Sequence, residues 1–163
     1  MNQFRIEEAG AGRGAVAEGI LRALPEWFGI ESSIIEYRQD IEQLPTWFCV
    51  LPGGEIVGFV ALNYHNLFTA EIHVIGVRPQ FHGKGIGRAL VKRAESVAAE
   101  RSIEYLEVKT LGPSRPNRSY AGTREFYFRM GFRPIEEISS VWPGYPCLIM
   151  VKKIGSRDAS SDL

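Results

Sequence analysis

The chain is poor in the residues that build metal centres and disulfide frameworks. It contains two cysteines and three histidines, and it has no Cys-x-x-Cys or His-x-x-x-His spacing. Cys49 and Cys147 each lie in an apolar, strand-like run, so we expect buried thiols rather than a disulfide. The sequence therefore predicts no metal site.

The sequence also lacks net charge and long apolar runs. Its 19 basic residues balance 19 acidic ones, so no overall field favours nucleic acid or a membrane surface as a partner. No run approaches the roughly 20 apolar residues that span a bilayer. Glu7, Glu8 and Glu18 argue against a signal peptide. With 45% hydrophobic residues, we expect one cytoplasmic globular domain over residues 1–154 and a disordered tail at 155–163.

Hydrophobic periodicity and turn residues predict an α/β chain in the order β-α-α-β-β-β-α-β-α-β-β. Ser32 is the expected cap of the second helix, and Gly131 should end the fourth in a left-handed conformation. The predicted strands cover residues 4–8, 46–51, 56–64, 69–77, 103–110, 132–139 and 146–153, and the predicted helices cover 15–24, 32–43, 86–101 and 120–130.

Glycines alternate where the fourth strand meets the third helix, at Gly83, Gly85 and Gly87. Without a Cβ, the backbone at such positions can approach a ligand closely. The start of the helix adds unpaired N–H groups and the positive end of the helix dipole, which together attract an anion. Lys84 and Arg88 add positive charge. The segment therefore predicts a cradle for a pyrophosphate.

The cradle matches neither of the common nucleotide-binding fingerprints. A P-loop requires G-x-x-x-x-G-K-[ST], and a dinucleotide site requires G-x-G-x-x-G. Here the glycines are spaced G-x-G-x-G, and no Lys-Ser or Lys-Thr pair follows them. The Walker residues and Mg²⁺ ligands of a nucleotide switch protein are also missing.

Two motifs resemble those of the GNAT superfamily of acetyl-CoA-dependent N-acyltransferases. Val77-Arg-Pro79 followed by His82-Gly-Lys-Gly85-Ile-Gly87 is similar to its motif A, with His82 where Arg or Gln is usual. Phe126-Tyr127 with Gly131-Phe132 is similar to its Phe-Tyr-x-x-x-Gly-Phe motif. The resemblance extends from Phe4 to about Ile154 and is only general in the first sixty residues.

The resemblance implies a fold, a co-substrate and a set of binding residues. The fold is a mixed, mostly antiparallel sheet of about seven strands with about four helices. The sheet splays between its fourth and fifth strands, where acetyl-CoA binds without a metal. Main-chain groups of the fourth strand would pair with the pantetheine amides, and an N–H near Gly76 or Val77 would receive the oxyanion. The implied coenzyme-binding residues are Ile75, Gly76, Val77, His82, Gly83, Lys84, Gly85, Ile86, Gly87, Arg88 and Phe126.

The implied reaction is direct attack of a neutral amine on the thioester in a ternary complex. An alkylamine with a pKa of about 10 needs a base, and a thiolate whose parent pKa is about 8.5 is helped by an acid. Glu71 resembles the general-base glutamate of the histone-acetylating branch, and His73 on the same strand face is the alternative base. Tyr127 stands at the family's general-acid tyrosine. Tyr120 and Thr123 replace an Asn and an Ala that are frequent earlier in this helix.

The sequence does not decide whether the acceptor is an amine-bearing small molecule or a peptide amine. It also does not decide whether the chain forms a homodimer. Arg115 and Arg118 could meet an acidic acceptor or the coenzyme 3′-phosphate, or they could be solvated. A non-catalytic acyl-CoA-binding module is the alternative function, but it would not need Glu71 and Tyr127. Aromatic residues that could wall an acceptor groove, or simply pack, are Trp27, Phe28, Tyr64 with His65, and Trp142 to Tyr145.

Overall fold

The computed structural model describes residues 3–156, and the chain within them has the predicted order of helices and strands. The predicted tail falls outside the described residues from position 157 onward. The strands are β1 (Arg5–Glu8), β2 (Thr46–Val50), β3 (Ile56–Tyr64), β4 (Thr69–Val77), β5 (Tyr105–Leu111), β6 (Arg133–Trp142) and β7 (Tyr145–Lys153). The helices are α1 (Arg13–Arg22), α2 (Glu31–Gln43), α3 (Ile86–Glu100) and α4 (Arg118–Arg129), with a 3₁₀ turn at Pro79–Phe81.

The strands form one open sheet in the order β1-β2-β3-β4-β5-β7-β6. The β1–β2, β2–β3, β5–β7 and β6–β7 pairs are antiparallel, and β4–β5 is parallel. This arrangement confirms the predicted fold class. None of the helices within residues 3–156 is long and apolar enough to cross a membrane.

The chain forms two compact units, which are described separately. The first unit contains the residues up to Asn63 together with His73–Val97, and the second contains Tyr64–Ile72 and the residues from Ala98 onward. Strand β4 contributes its first four residues to the second unit and its last five to the first. The single domain expected from the sequence stays a prediction.

In the first unit, α1 packs on the sheet through residues spaced i, i+3 and i+4, the pattern of an amphipathic helix. These are Ala17, Ile20 and Leu21, and Leu24, just after the helix, is buried with them. Gly76 of β4 fits beneath them, because a Cβ built there would lie 3.0 Å from Phe59 and 3.4 Å from Ile20.

Helix α2 is held at both ends by residues outside it. Arg13 Nε donates to the Ile41 carbonyl at 2.8 Å, and its Nη2 donates to the Glu42 carbonyl at 2.8 Å. The guanidinium thus satisfies carbonyls at a C-terminus whose last turn has no basic residue of its own. At the other end, Arg22 binds the Glu31 carboxylate with its two terminal nitrogens at 2.9 and 2.7 Å.

The predicted Ser32 cap is wrong. Helix α2 begins one residue earlier, at Glu31, and its N-cap is Ile30, which makes no side-chain cap bond. The Arg22 pair and the charge of Glu31 at the positive helix end favour this start over a serine cap. In contrast, the left-handed end of α4 is confirmed, because Gly131 has φ of 98°.

In the second unit, β4 and β5 are paired in parallel from Thr69–Tyr105 to Ile72–Val108. Paired residues share a sheet face, so Glu71 and Glu107 lie on one face, while Leu106 and Val108 lie on the other and are buried. Cys147 in this unit and Cys49 in the first are both free and buried, as expected. Burial raises the pKa of each thiol to about 11, so both stay protonated at neutral pH.

Candidate active site

The glycine turn of the first unit has the backbone that the cradle requires. Gly83 has φ of 74° and Gly85 has φ of 83°, a region in which residues with a Cβ are strained. The Gly85 carbonyl accepts the first bond of α3, from Ala89 N–H at 3.0 Å. The N–H groups of the helix's first turn therefore have no partner within the helix.

The space in front of these glycines is open. A Cβ built on either Gly83 or Gly85 would meet nothing within 4 Å, and both residues are exposed. Lys84 and Arg88 are exposed as well, while the Ile86 side chain is buried and anchors the turn. Open backbone at a helix N-terminus with two exposed cations fits a diphosphate.

His82, the unusual residue of motif A, binds the turn to the end of β4. Its Nε2 lies 2.7 Å from the Val77 carbonyl oxygen, and its ring packs edge-on against Trp27 with centroids 5.8 Å apart. Because a carbonyl only accepts hydrogen bonds, Nε2 carries the proton. The His82 side chain and the Val77 carbonyl are thus hydrogen-bonded to each other within the protein.

The last part of β4 differs from the first in its pairing. The β4–β5 register ends at Ile72, whereas β4 continues to Val77. On its other side the strand remains bonded to β3, because Arg78 N–H donates to the Val57 carbonyl at 2.8 Å. Main-chain groups alternate in direction along a strand, so those of Gly76 point toward β3 and those of Ile75 and Val77 point away.

Burial alternates along most of β4. Ala70, Ile72, Val74 and Gly76 are all buried, and the residues between them are half-buried, with Glu71 as the exception.

Glu71 is the buried member of a charged cluster of the second unit, whose other members are half-buried or exposed. Its Oε1 is 2.8 Å from His65 Nε2, and its Oε2 is 3.0 Å from Lys109 Nζ. Lys109 also binds Glu107 at 2.8 Å. Burial alone would lower the pKa of Lys109, but the hydrogen bonds to Glu107 and Glu71 raise it above its ordinary value. The ammonium therefore stays charged at neutral pH.

The same cluster contains the one set of metal-type ligands found within residues 3–156. Ligand atoms of His65, Glu71 and Glu107 lie within 4.8 Å of one another. Lys109 binds both carboxylates, so its ammonium already supplies the positive charge that a cation would bring. Sequence spacing missed this set because its members come from a turn and two different strands.

His73 lies in the first unit and has different surroundings. Its Nε2 is 2.8 Å from the Asp40 carboxylate of α2, and the Tyr37 ring packs edge-on against the imidazole at 5.6 Å. Phe28 in turn packs against Tyr37 at 5.8 Å. Asp40 had no signal in the sequence, because nothing in a helical pattern indicates which strand residue an exposed carboxylate will reach.

Tyr127 is buried on α4 in the second unit. Its ring packs against Phe126 and Phe132, with centroids 5.4 and 5.5 Å away. These contacts suit an aromatic side chain held by packing as well as a proton donor. The proton-donor role stays a prediction.

Several of the residues weighed for acceptor or phosphate binding contact their own surroundings. Arg115 lies over the Tyr145 ring at 4.4 Å and donates to the Gly144 carbonyl at 3.1 Å. Arg101 lies over the Tyr64 ring at 4.4 Å. Arg118, by contrast, is exposed at the first position of α4.

Comparison with known proteins agrees with these features. An uncharacterized N-acetyltransferase of Chlorobaculum tepidum is 32% identical over 97 residues, which cover 60% of this chain and 56% of the relative. Another from Methanocaldococcus jannaschii is 38% identical over 107 residues, which cover 62% of this chain and 42% of the relative. The chain thus spans about half the length of these relatives.

Solved structures share the fold. A GNAT-family protein from Desulfovibrio desulfuricans superposes with a TM-score of 0.79 at 16% identity, covering 93% of this chain and 99% of the other. A GNAT acetyltransferase from Elizabethkingia anophelis with acetyl-CoA bound has a TM-score of 0.70 at 20% identity, covering 94% and 99%. At these identities the likeness shows the fold alone.

The family model described as "Acetyltransferase (GNAT) family" matches residues 15–132, which include the cradle, both candidate bases and Tyr127. The chain belongs to the GNAT family of acetyltransferases.

Proposed function

We propose that the protein is an N-acetyltransferase that moves an acetyl group from acetyl-CoA to a primary amine of a small molecule or peptide. The observation that carries the proposal is the open cradle at Gly83 and Gly85, whose positive φ and free frontal space suit a diphosphate. Its occurrence in a member of the GNAT family makes the diphosphate that of coenzyme A. A cytoplasmic location accompanies this proposal.

Residues of the first unit would bind the coenzyme mainly through their backbone. The N–H groups of the α3 first turn would donate to the diphosphate, and Lys84 and Arg88 would add positive charge. Ile75 and Val77 point their main-chain groups away from β3 and would pair with the amide arm. The Val77 carbonyl is bonded to His82, which leaves the Val77 N–H to donate. Because this N–H points away from β3, it is a better oxyanion donor than the Gly76 N–H, which points toward β3.

The bound coenzyme supplies an activated acetyl thioester, and the protein must manage two protons. Tyr127 would return a proton to the departing sulfur. Glu71 or His73 would accept the proton that the amine loses. Attack is direct, so both substrates would be bound together.

Thiol release measured with acetyl-CoA and a panel of primary amines tests the proposal. We expect turnover with at least one amine, and Tyr127→Phe should lower kcat by about 100-fold or more with a nearly unchanged Kd for the coenzyme. Turnover should be the same in order of magnitude in Phe128→Leu, a control at an exposed neighbouring aromatic. Coenzyme binding with no turnover for any amine would instead favour the acyl-CoA-binding module.

A further inference from the structure

Two residues of β4, Glu71 and His73, each form a histidine–carboxylate pair with a residue of another segment. We propose that His73, oriented by Asp40, accepts the proton of the amine, and that Glu71 instead forms part of the charged cluster around Lys109. This inference rests on the proposed N-acetyltransferase function and assigns one of its steps.

The contacts of Glu71 make it a poor proton acceptor. One carboxylate oxygen accepts from His65 and the other from Lys109, and the side chain is 8% exposed. A proton on the carboxylate would replace a charge-assisted hydrogen bond, one of the stronger kinds in proteins. It would also leave the Lys109 ammonium with Glu107 as its remaining carboxylate partner in the cluster.

The contacts of His73 suit proton transfer. The Asp40 carboxylate accepts from Nε2, so the neutral ring carries its hydrogen there and the lone pair on Nδ1. When Nδ1 accepts a proton, the imidazolium charge faces the Asp40 carboxylate. The His73 side chain is 23% exposed and that of Asp40 is 48% exposed, so the proton can pass on to water.

The position of His73 along β4 also favours it. His73 is two residues before Ile75, about 7 Å along a strand, and it is two positions nearer to Ile75 in the chain than Glu71 is. His73, Ile75 and the cradle all belong to the first unit. The polar and titratable groups that face the ring from α2 are Asp40 and Tyr37.

The proposed step exchanges one bond of the acetyl carbon for another and transfers two protons. The amine nitrogen forms a bond to the carbonyl carbon of the thioester, and the carbon–sulfur bond breaks. The proton lost by the nitrogen moves to His73 Nδ1 and then to water, while the sulfur takes a proton from Tyr127 or from solvent. Asp40 touches no reacting atom and is a positioning residue.

The test compares the pH dependence of kcat and kcat/KM for four variants, with an amine that the wild type acetylates. His73→Gln should lower kcat by about 100-fold or more and remove the acidic limb of the profile, with a coenzyme Kd within twofold of wild type. Asp40→Asn should lower kcat by about tenfold and alter the acidic limb, and Asp40→Glu should restore most of the rate. Glu71→Gln, assayed where it is folded, should change kcat by less than about tenfold.

A second measurement does not depend on finding the acceptor. Imidazole ¹⁵N–¹H correlation spectra should show neutral His73 with its hydrogen on Nε2, and Asp40→Asn should weaken that preference. Unaltered kcat and acidic limb in His73→Gln, a 100-fold loss in folded Glu71→Gln, or a hydrogen on Nδ1 would each overturn the inference. A wild type that acetylates no amine would instead overturn the proposed function, and the spectra would still decide whether Asp40 orients the His73 ring.

Discussion

Strand β4 carries two residues with the chemistry of a general base, and their surroundings differ. Glu71, at 8% side-chain exposure, is bound on both oxygens by cationic or potentially cationic groups. His73 is 23% exposed and has a carboxylate partner that is 48% exposed. Ion pairs in the interior contribute to stability only while every member is paired, whereas exposed pairs contribute little. The comparison supports the proposal that Glu71 has a structural role and that His73 accepts the proton.

Removing the Lys109 ammonium from the charged cluster should have the largest effect. Lys109→Met leaves Glu71 and Glu107 close together without their shared ammonium, and we expect a loss of about 3–5 kcal/mol of unfolding free energy at pH 7. Urea denaturation measures this loss. Lys92→Met, at an exposed i,i+3 pair with Glu95, is the matched control and should change stability by less than about 1 kcal/mol.

The same variant should change the alkaline limit of stability. The pKa of Lys109 is raised by folding, so its contribution is complete below the unfolded value of about 10.4 and is lost as the pH rises through the folded value. The wild type should therefore lose stability above about pH 10.4 by a component that Lys109→Met lacks. If the unfolding free energies of the two proteins fall equally at alkaline pH, the ion pairs of Lys109 with Glu71 and Glu107 would be contradicted.

Neutralising the two carboxylates separately tests the comparison itself. Glu71→Gln removes a charged acceptor from the cluster and should cost about 1.5–3 kcal/mol of unfolding free energy. Asp40→Asn, at an exposed pair, should cost less than about 1 kcal/mol. Both values come from denaturation at pH 7. Equal losses of unfolding free energy in the two variants would contradict the distinction between a structural pair at Glu71 and an exposed pair at Asp40.

A smaller effect concerns a buried hydroxyl. Among the described residues, Thr110 Oγ1 is buried and has no hydrogen-bond partner, whereas Thr46 Oγ1 donates to the Leu44 carbonyl at 3.0 Å. Thr110→Val should therefore stabilise the protein by about 1 kcal/mol, and Thr46→Val should destabilise it by about the same amount. Thermal and urea unfolding of the two variants should shift in opposite directions. A destabilised Thr110→Val would show that the hydroxyl is bonded, for instance to water.

The sequence could predict what local patterns determine. The bounds of β3 and β4 match their predicted ranges, because turn residues flank runs with a two-residue period. The glycine turn was also predicted, since alternating glycines between a strand and a helix let the backbone approach a ligand. The start of α2 was not, because it depends on the pairing of Glu31 with Arg22, nine residues away.

The partners of the candidate bases depend on contacts between distant segments. Asp40 is 33 residues from His73, and no periodicity connects a helix surface with one strand position. The ion pair between Lys109 and Glu71 follows from the parallel β4–β5 register, which cannot be determined from the sequence alone. The resemblance indicated Glu71 by its place in a motif, but the groups that bind it could be seen only in the fold.

Calorimetric titration with acetyl-CoA shows directly whether the glycine turn binds the coenzyme. We expect micromolar binding of acetyl-CoA and of CoA, and no binding of ATP. Gly85→Ala should weaken binding about tenfold or more, because its Cβ enters the space meant for the diphosphate. Gly54→Ala, at another positive-φ glycine with open space, should bear similar backbone strain of about 1 kcal/mol and bind normally. Unchanged affinity in a folded Gly85→Ala, or no binding of either coenzyme by the wild type, would contradict the assignment of the glycine turn as the coenzyme cradle.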